Sequence, residues 1–183
     1  MIFDPPHVVV MGVTGAGKTE VGTRLAAALS LPYADGDSFH SPSSIAKMSG
    51  GEPLGDGDRA PWLAAVGAWL GGQDAGAVVS CSALRRRYRD ALREAVPAAL
   101  FVHLVAEPGV TRTRLATRDG HFMPASLVES QFSELEPLGA DEFGRVIDAS
   151  QPLEDVIGEA LALVADAAAP GPVREQSVSP FGA

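Results

Sequence analysis

The stretch His7-Val8-Val9-Val10-Met11-Gly12-Val13-Thr14-Gly15-Ala16-Gly17-Lys18-Thr19 decides the fold. Its first five residues are an apolar, β-branched run. The last eight satisfy G-x-x-x-x-G-K-[ST] and lead straight into the Ala/Leu-rich segment Thr19 to Leu29. A strand that ends in this loop and opens a helix is a P-loop. Its glycines let successive backbone N–H groups turn toward phosphate oxygens, and the helix N-terminus adds a favourable dipole. Gly12, Val13, Thr14, Gly15, Ala16, Gly17, Lys18 and Thr19 are therefore the candidate nucleotide-binding residues. Lys18 is expected to reach the β and γ phosphates, and the Thr19 hydroxyl to be a ligand of Mg²⁺. The bland alternative is a glycine-rich turn, which the strand-then-helix context disfavours.

Outward from this loop, apolar runs alternate with helical patterns, as in a parallel sheet covered on both faces. Strands are expected at His7 to Met11, Leu31 to Gly36, Ala77 to Ser80, Leu100 to Val105 and Arg145 to Asp148. Helices are expected at Thr19 to Leu29, Asp58 to Leu70 (opened by a capping acid), Leu84 to Val96, Pro108 to Arg118 and Pro152 to Val164. The fold class is thus α/β, a three-layer α/β/α arrangement around a five-stranded parallel sheet. Two connections, Asp37 to Gly57 and Asp119 to Leu138, exceed what crossovers need and suggest binding loops or a lid. One domain over residues 1–166 is expected, with a disordered tail over 167–183 where the pattern decays into Ala, Pro, Gly and Ser.

Composition narrows the function. The 183 residues carry a net charge of −9, which disfavours a sequence-independent grip on nucleic acid. No apolar run approaches the roughly 18 residues of a membrane span. Met1 to Pro6 has no basic start and two prolines, and Cys81 is the single cysteine, so the expected compartment is the cytoplasm. Of the 14 cations only Lys18 and Lys47 are lysines, and the chain has no asparagine. Without asparagine, the Asn-Lys-x-Asp element that reads guanine in GTPases is impossible. Ala77-Val78-Val79-Ser80 ends without the Walker-B acid of motor ATPases. Carboxylates stand instead at Asp35 and Asp37, after the second strand, where an acid near the γ phosphate can serve both the metal shell and an acceptor hydroxyl. An Asx turn around Gly36 is the structural alternative.

Four further segments carry a resemblance. They are Asp37-Ser38-Phe39-His40 with Lys47-Met48-Ser49-Gly50-Gly51-Glu52-Pro53-Leu54; Asp56-Gly57-Asp58-Arg59-Ala60-Pro61-Trp62-Leu63; Cys81-Ser82-Ala83-Leu84; and Gly120-His121-Phe122-Met123 with Ser130-Gln131-Phe132. In order and spacing, Val8 to Val164 resembles the gluconokinase family, with Gln151-Pro152-Leu153-Glu154 matching its last strand-to-helix turn. Ser41 and Ser44 depart from that family, where proline and asparagine are usual. The resemblance implies a nucleoside-monophosphate-kinase-like and shikimate-kinase-like fold, with an acceptor segment at about 37–72 and a lid at about 117–138. It also implies ATP-dependent phosphorylation of D-gluconate to 6-phosphogluconate, by a homodimer. Other readings are a same-fold kinase for another small polyol or hydroxy acid, and a nucleotide-binding regulator without catalysis.

Gluconate needs cations at its carboxylate end and a base at the reacting hydroxyl. By analogy with shikimate kinases, Asp37 is the candidate base and Asp35 the acid nearer the metal. Arg59, Lys47, His40 and the Ser82 loop are candidates for the carboxylate and polyol, since arginine engages oxygen pairs bidentately. Gln131 joins them through the lid motif. Arg118 is expected to clamp the transferred phosphoryl group and Arg114 to lie against adenine; a solvated basic face is the alternative. Arg85, Arg89 and Arg93 suggest a surface stripe paired with Asp90 and Glu94, with Arg85 kept as a substrate candidate. His121 is a lid candidate. His7, His103, Trp62, Trp69 and Cys81 are expected to be structural.

Overall fold

The computed structural model describes residues 5–116 and 125–168. Five strands, β1 (His7–Met11), β2 (Tyr33–Asp35), β3 (Ala77–Ser80), β4 (Leu100–Val105) and β5 (Gly144–Asp148), pair in the order β2-β3-β1-β4-β5. Every pairing is parallel, with Val8 opposite Val78 on one side and Leu100 on the other. The central strand β1 is buried from Val8 to Met11. A strand buried on both faces needs no alternation, which is why it reads as a continuous apolar run.

Alternate residues of β1 feed two cores. Val8 and Val10 pack with Val21 and Leu25 of α1 (Lys18–Leu29) and Val156 and Ala160 of α7 (Leu153–Ala168). Val9 and Met11 pack with Trp62, Val66 and Leu70 of α3 (Asp56–Gly71) and with Tyr88 and Leu92 of α4 (Arg86–Ala95). These are the three layers. The loop after β1 lies at the carboxyl edge of the sheet, where the strand order reverses and α/β sheets bind their ligands.

Both long connections contain helices that the sequence reading treats as loop. The connection after β2 holds the short 3₁₀ turn Gly36–Phe39 and α2 (Pro42–Ser49), whose N-cap Ser41 accepts from the Ser44 amide. Ser41 before Pro42 is an N-cap and N1 pair, so the signal was present. Residues 119–138 hold α6 (Ala125–Glu134), and α5 spans Pro108–Ala116. Helix α3 begins at Asp56, with Asp58 three residues past the Gly55 cap and its carboxylate accepting from the Gly55 amide at 3.0 Å. Asp58 therefore caps from inside the first turn, not as the N-cap itself. Helix α7 runs to Ala168, past the expected boundary at 166; the tail beyond it lies outside the described residues.

Candidate active site

Gly12, Gly15 and Gly17 have φ of 140°, 78° and 99°. A Cβ at Gly12 would lie 2.4 Å from the Leu104 carbonyl oxygen, and one at Gly15 would lie 2.8 Å from that of Thr111. Conformation and space both demand glycine there. Gly17 caps α1 with no side-chain hydrogen bond to it, so the amides of the first helical turn open toward the loop. Lys18 donates to the Val13 carbonyl at 3.0 Å, folding its stem back over this cradle.

Two cavities meet at the loop. A cleft of about 580 Å³ is lined by Thr14, Gly15, Gly17, Lys18, Thr19, Asp35, Asp37 and Arg114, among others. A smaller cavity is lined by Thr14, Lys18, Asp37, His40, Arg59, Trp62, Ser82 and Gln131, with Met48, Glu52 and Leu54 on its wall. Thr14, Lys18 and Asp37 belong to both. A group passing from one cavity to the other passes these three residues. Beside the cleft, a more apolar pocket is formed by Ala16, Val21, Leu153 and Val156, with Arg114 at its edge. The Arg114 guanidinium donates to the Ala149 carbonyl at 2.8 Å, which ties it to this wall while the residue itself stays exposed.

The acid pair combines the two readings open to it. Asp35 Oδ1 accepts from the Asp37 amide at 3.0 Å, an Asx turn, while its Oδ2 accepts from the Thr19 hydroxyl at 3.0 Å. Gly36 is fixed by contact, since a Cβ there would meet the Ser80 carbonyl oxygen at 2.4 Å. The turn leaves the Asp37 carboxylate 76% exposed at the cavity junction. The Thr19 and Asp35 oxygens are hard donors and suit Mg²⁺, which takes one or two protein oxygens beside phosphate and water. Among the described residues no cluster of three or more His, Cys, Asp or Glu side chains is arranged to hold a metal. A metal here therefore depends on this sparse pair together with the nucleotide.

His40 stacks on Trp62 with ring centroids 4.4 Å apart, and its Nε2 lies 3.8 Å from Asp37 Oδ1. Burial lowers its pKa; the Asp37 charge opposes that and Arg59 reinforces it. Trp62 is a core residue, as its helical spacing suggests, yet it also walls the cavity, and its indole N–H donates to Gly36 O at 2.7 Å. The Ser82 carbonyl accepts from the Gly12 amide at 3.4 Å, tying the acceptor side to the P-loop. Gln131, from α6, accepts from the Thr14 amide at 2.7 Å.

Lys47 and Arg85 do not line the cavity. Lys47 donates to Asp58 at 2.7 Å, and Arg85 lies 3.6 Å from Glu134. Arg118 and His121 lie outside the described residues. The surface-stripe reading holds for Arg93, which pairs with Asp90, but fails for Arg89. Arg89 is fully buried and bidentate to Glu142, at 2.6 and 2.8 Å, and also donates to the carbonyls of Ala83, Leu84, Glu136 and Pro137. Helical spacing points to near neighbours and carries no sign of a partner 53 residues away. Glu134 and Tyr88, which hold Arg59, likewise carry no sign of that contact in the sequence. Cys81 is buried with its thiol pushed up to about 12 by burial, as suits an inert core residue.

The shikimate kinase family profile matches residues 14–139. A gluconokinase of Gluconobacter oxydans is 50% identical over 145 residues, 78% of this chain and 82% of that protein. The thermoresistant gluconokinase of Escherichia coli is 41% identical over 160 residues, 85% of this chain and 91% of its own. The chain belongs to the gluconokinase family. A solved gluconokinase structure from Sinorhizobium meliloti superposes with a TM-score of 0.84 at 45% identity, covering 91% of this chain and 95% of that one. The shikimate-kinase-like fold and the phosphotransferase class of this gluconokinase-family chain follow from these matches. Kinases of the P-loop class use ATP. No described helix is long and apolar enough to cross a membrane.

Proposed function

We propose that the chain transfers the γ-phosphoryl group of ATP to the terminal hydroxyl of D-gluconate, giving 6-phospho-D-gluconate and ADP. The observation that carries this reading is the pair of cavities that share Thr14, Lys18 and Asp37, one beside the phosphate cradle and the other walled by Arg59, His40 and Ser82. The larger cleft suits the nucleotide phosphates, and the smaller cavity suits a polyhydroxy acid.

In this account the acceptor hydroxyl lies beside Asp37, whose carboxylate orients it and takes its proton as the oxygen bonds to phosphorus. Lys18 and the loop amides balance charge on the transferred group, and Arg118 is assigned the opposite side of that group. Arg114 borders the base pocket. Mg²⁺, held through Thr19 and Asp35, neutralises phosphate charge when bound. Arg59 holds the acceptor carboxylate, His40, Ser82 and Gln131 take its hydroxyls, and Lys47 and Arg85 supply positive charge from just outside the wall. His121 belongs to the lid, residues 117–138, whose closure excludes water. A cytoplasmic homodimer is proposed from the family resemblance. Sedimentation at twice the chain mass tests the dimer.

An acceptor panel tests the substrate. Gluconate should drive ADP formation well above other six-carbon acids and above neutral polyols. Preference for a neutral polyol would reassign Arg59, and MgATP binding without any acceptor-dependent ADP would make the chain a nucleotide-binding regulator.

A further inference from the structure

Arg59 is held in an unusual way. Both hydrogens of one terminal nitrogen, Nη1, are committed: one to the Tyr88 hydroxyl at 2.8 Å, the other to Glu134 Oε2 at 2.6 Å. Tyr88 in turn donates to Asp56 Oδ1 at 2.7 Å, and Arg87 Nη2 also donates to Asp56 Oδ1 at 2.7 Å. An ionised carboxylate only accepts, so the phenolic hydrogen points to Asp56 and the phenolic oxygen is left to accept from Arg59. The chain of donors has one direction: Arg59 to Tyr88, Tyr88 to Asp56. The Tyr88 ring is 5% exposed and faces the guanidinium carbons of Arg59 and Arg87 at 5.2 and 5.4 Å, which holds the plane as the hydroxyl holds the end. The bond from Tyr88 also lowers the Asp56 pKa, keeping that acceptor ionised at neutral pH.

With Nη1 taken, Arg59 keeps its Nε and Nη2 hydrogens, which make no hydrogen bond among the described residues. Those two nitrogens form one of the two edges through which a guanidinium engages a carboxylate bidentately. We propose that Tyr88, set by Asp56, is a positioning residue that selects this edge of Arg59 for the acceptor's carboxylate. Tyr88 does not line the cavity and acts only through Arg59. The inference rests on the reading of the acceptor as a sugar acid and adds to it the residue that aims the recognition group.

The test is a double-mutant cycle on steady-state kinetics with gluconate. Tyr88→Phe keeps the ring and removes one oxygen. It should raise the gluconate KM about tenfold, with kcat and the ATP KM within about twofold. Asp56→Ala, which removes the phenolic hydrogen's acceptor without touching Arg59, should raise the same KM by about threefold. In an Arg59→Lys background the fork is already gone, so adding Tyr88→Phe should change the gluconate KM by less than about twofold. Three results would overturn the inference: an unchanged gluconate KM in Tyr88→Phe, equal losses in kcat and ATP KM, or a full tenfold effect in the Arg59→Lys background. Absence of gluconate turnover in the wild-type protein is separate, since it overturns the acceptor reading before any variant is made.

Discussion

Two arginine–glutamate pairs lie within one protein and have opposite characters. Arg89–Glu142 is sealed, with both side chains at 0% exposure, a bidentate contact and four backbone carbonyls sharing the guanidinium. Arg59–Glu134 stands at a cavity wall, is touched through a single nitrogen and leaves two nitrogens unused. A buried charge whose every donor is met has no capacity left for a ligand, whereas a partly met one at a cavity is available for recognition. The sealed pair is nonetheless tied to the working one. It grips Ala83 and Leu84, next to Ser82 of the cavity, and the carbonyls of Glu136 and Pro137, just after the helix that carries Glu134. Ala83 has φ 41°, a strained value for a residue with a side chain, and the Arg89 bond to its carbonyl helps hold it.

The largest effect should come from breaking the sealed pair. Arg89→Ala takes the cation from a buried carboxylate and the side-chain donor from the carbonyls of Ala83, Glu136 and Pro137, and should cost about 3–5 kcal/mol in urea unfolding. Arg59→Ala, measured the same way, should cost less, about 1–2 kcal/mol, because Glu134 and Tyr88 lose one donor each at a wall that keeps 14–15% of the pair's side-chain exposure. Equal costs would erase the distinction between the pairs. Next is the junction between the cavities: Asp37→Asn should lower kcat by about 100-fold or more while leaving the unfolding midpoint in place. Near-normal turnover in that variant would remove Asp37 as the base. A smaller effect is expected for Arg59→Lys, which keeps the charge but loses the fork; the gluconate KM should rise about tenfold or more with the ATP KM unchanged.

The smallest effect concerns His103 of β4, which feels the charges of the sealed pair. Its ring is buried, neither nitrogen has a partner among the described residues, and burial together with Arg89 lowers its pKa to about 4 against the attraction of Glu142. Between the ordinary histidine value near 6.5 and about 4, the unfolded chain takes up a proton that the folded chain refuses. Stability therefore falls as pH drops through that window, by about 1 kcal/mol over its first unit. His103→Leu should flatten the fall; an unchanged slope would show that other groups dominate it.

The sequence reading succeeded where signals are local. Strands β1, β3 and β4 coincide with their apolar runs, and the P-loop sits where its glycines demand. Six candidates named for the acceptor or for catalysis, Lys18, Asp37, His40, Arg59, Ser82 and Gln131, meet in one cavity from five separate parts of the chain. What stayed hidden was pairing over distance. Nothing in the spacing of Arg59 points to Tyr88 or Glu134, 29 and 75 residues on, and nothing in the Arg85-Arg89-Arg93 repeat distinguishes the buried member from its half-buried neighbours. Helix α6, Ala125–Glu134, lies inside the Asp119 to Leu138 connection and is not legible from the sequence pattern there. Lys47 looked informative as one of two lysines, but its ammonium reaches Asp58 outside the cavity wall.

The most direct test of the central claim is to follow the phosphoryl group itself. The purified protein is incubated with MgATP and carbon-13-labelled gluconate, and the product is examined by phosphorus and carbon NMR. The account predicts one ADP per gluconate consumed and a phosphorus coupled to the terminal carbon, C6. Phosphate released into water at the same rate with or without gluconate, or a phosphoryl group on any other carbon, would contradict it.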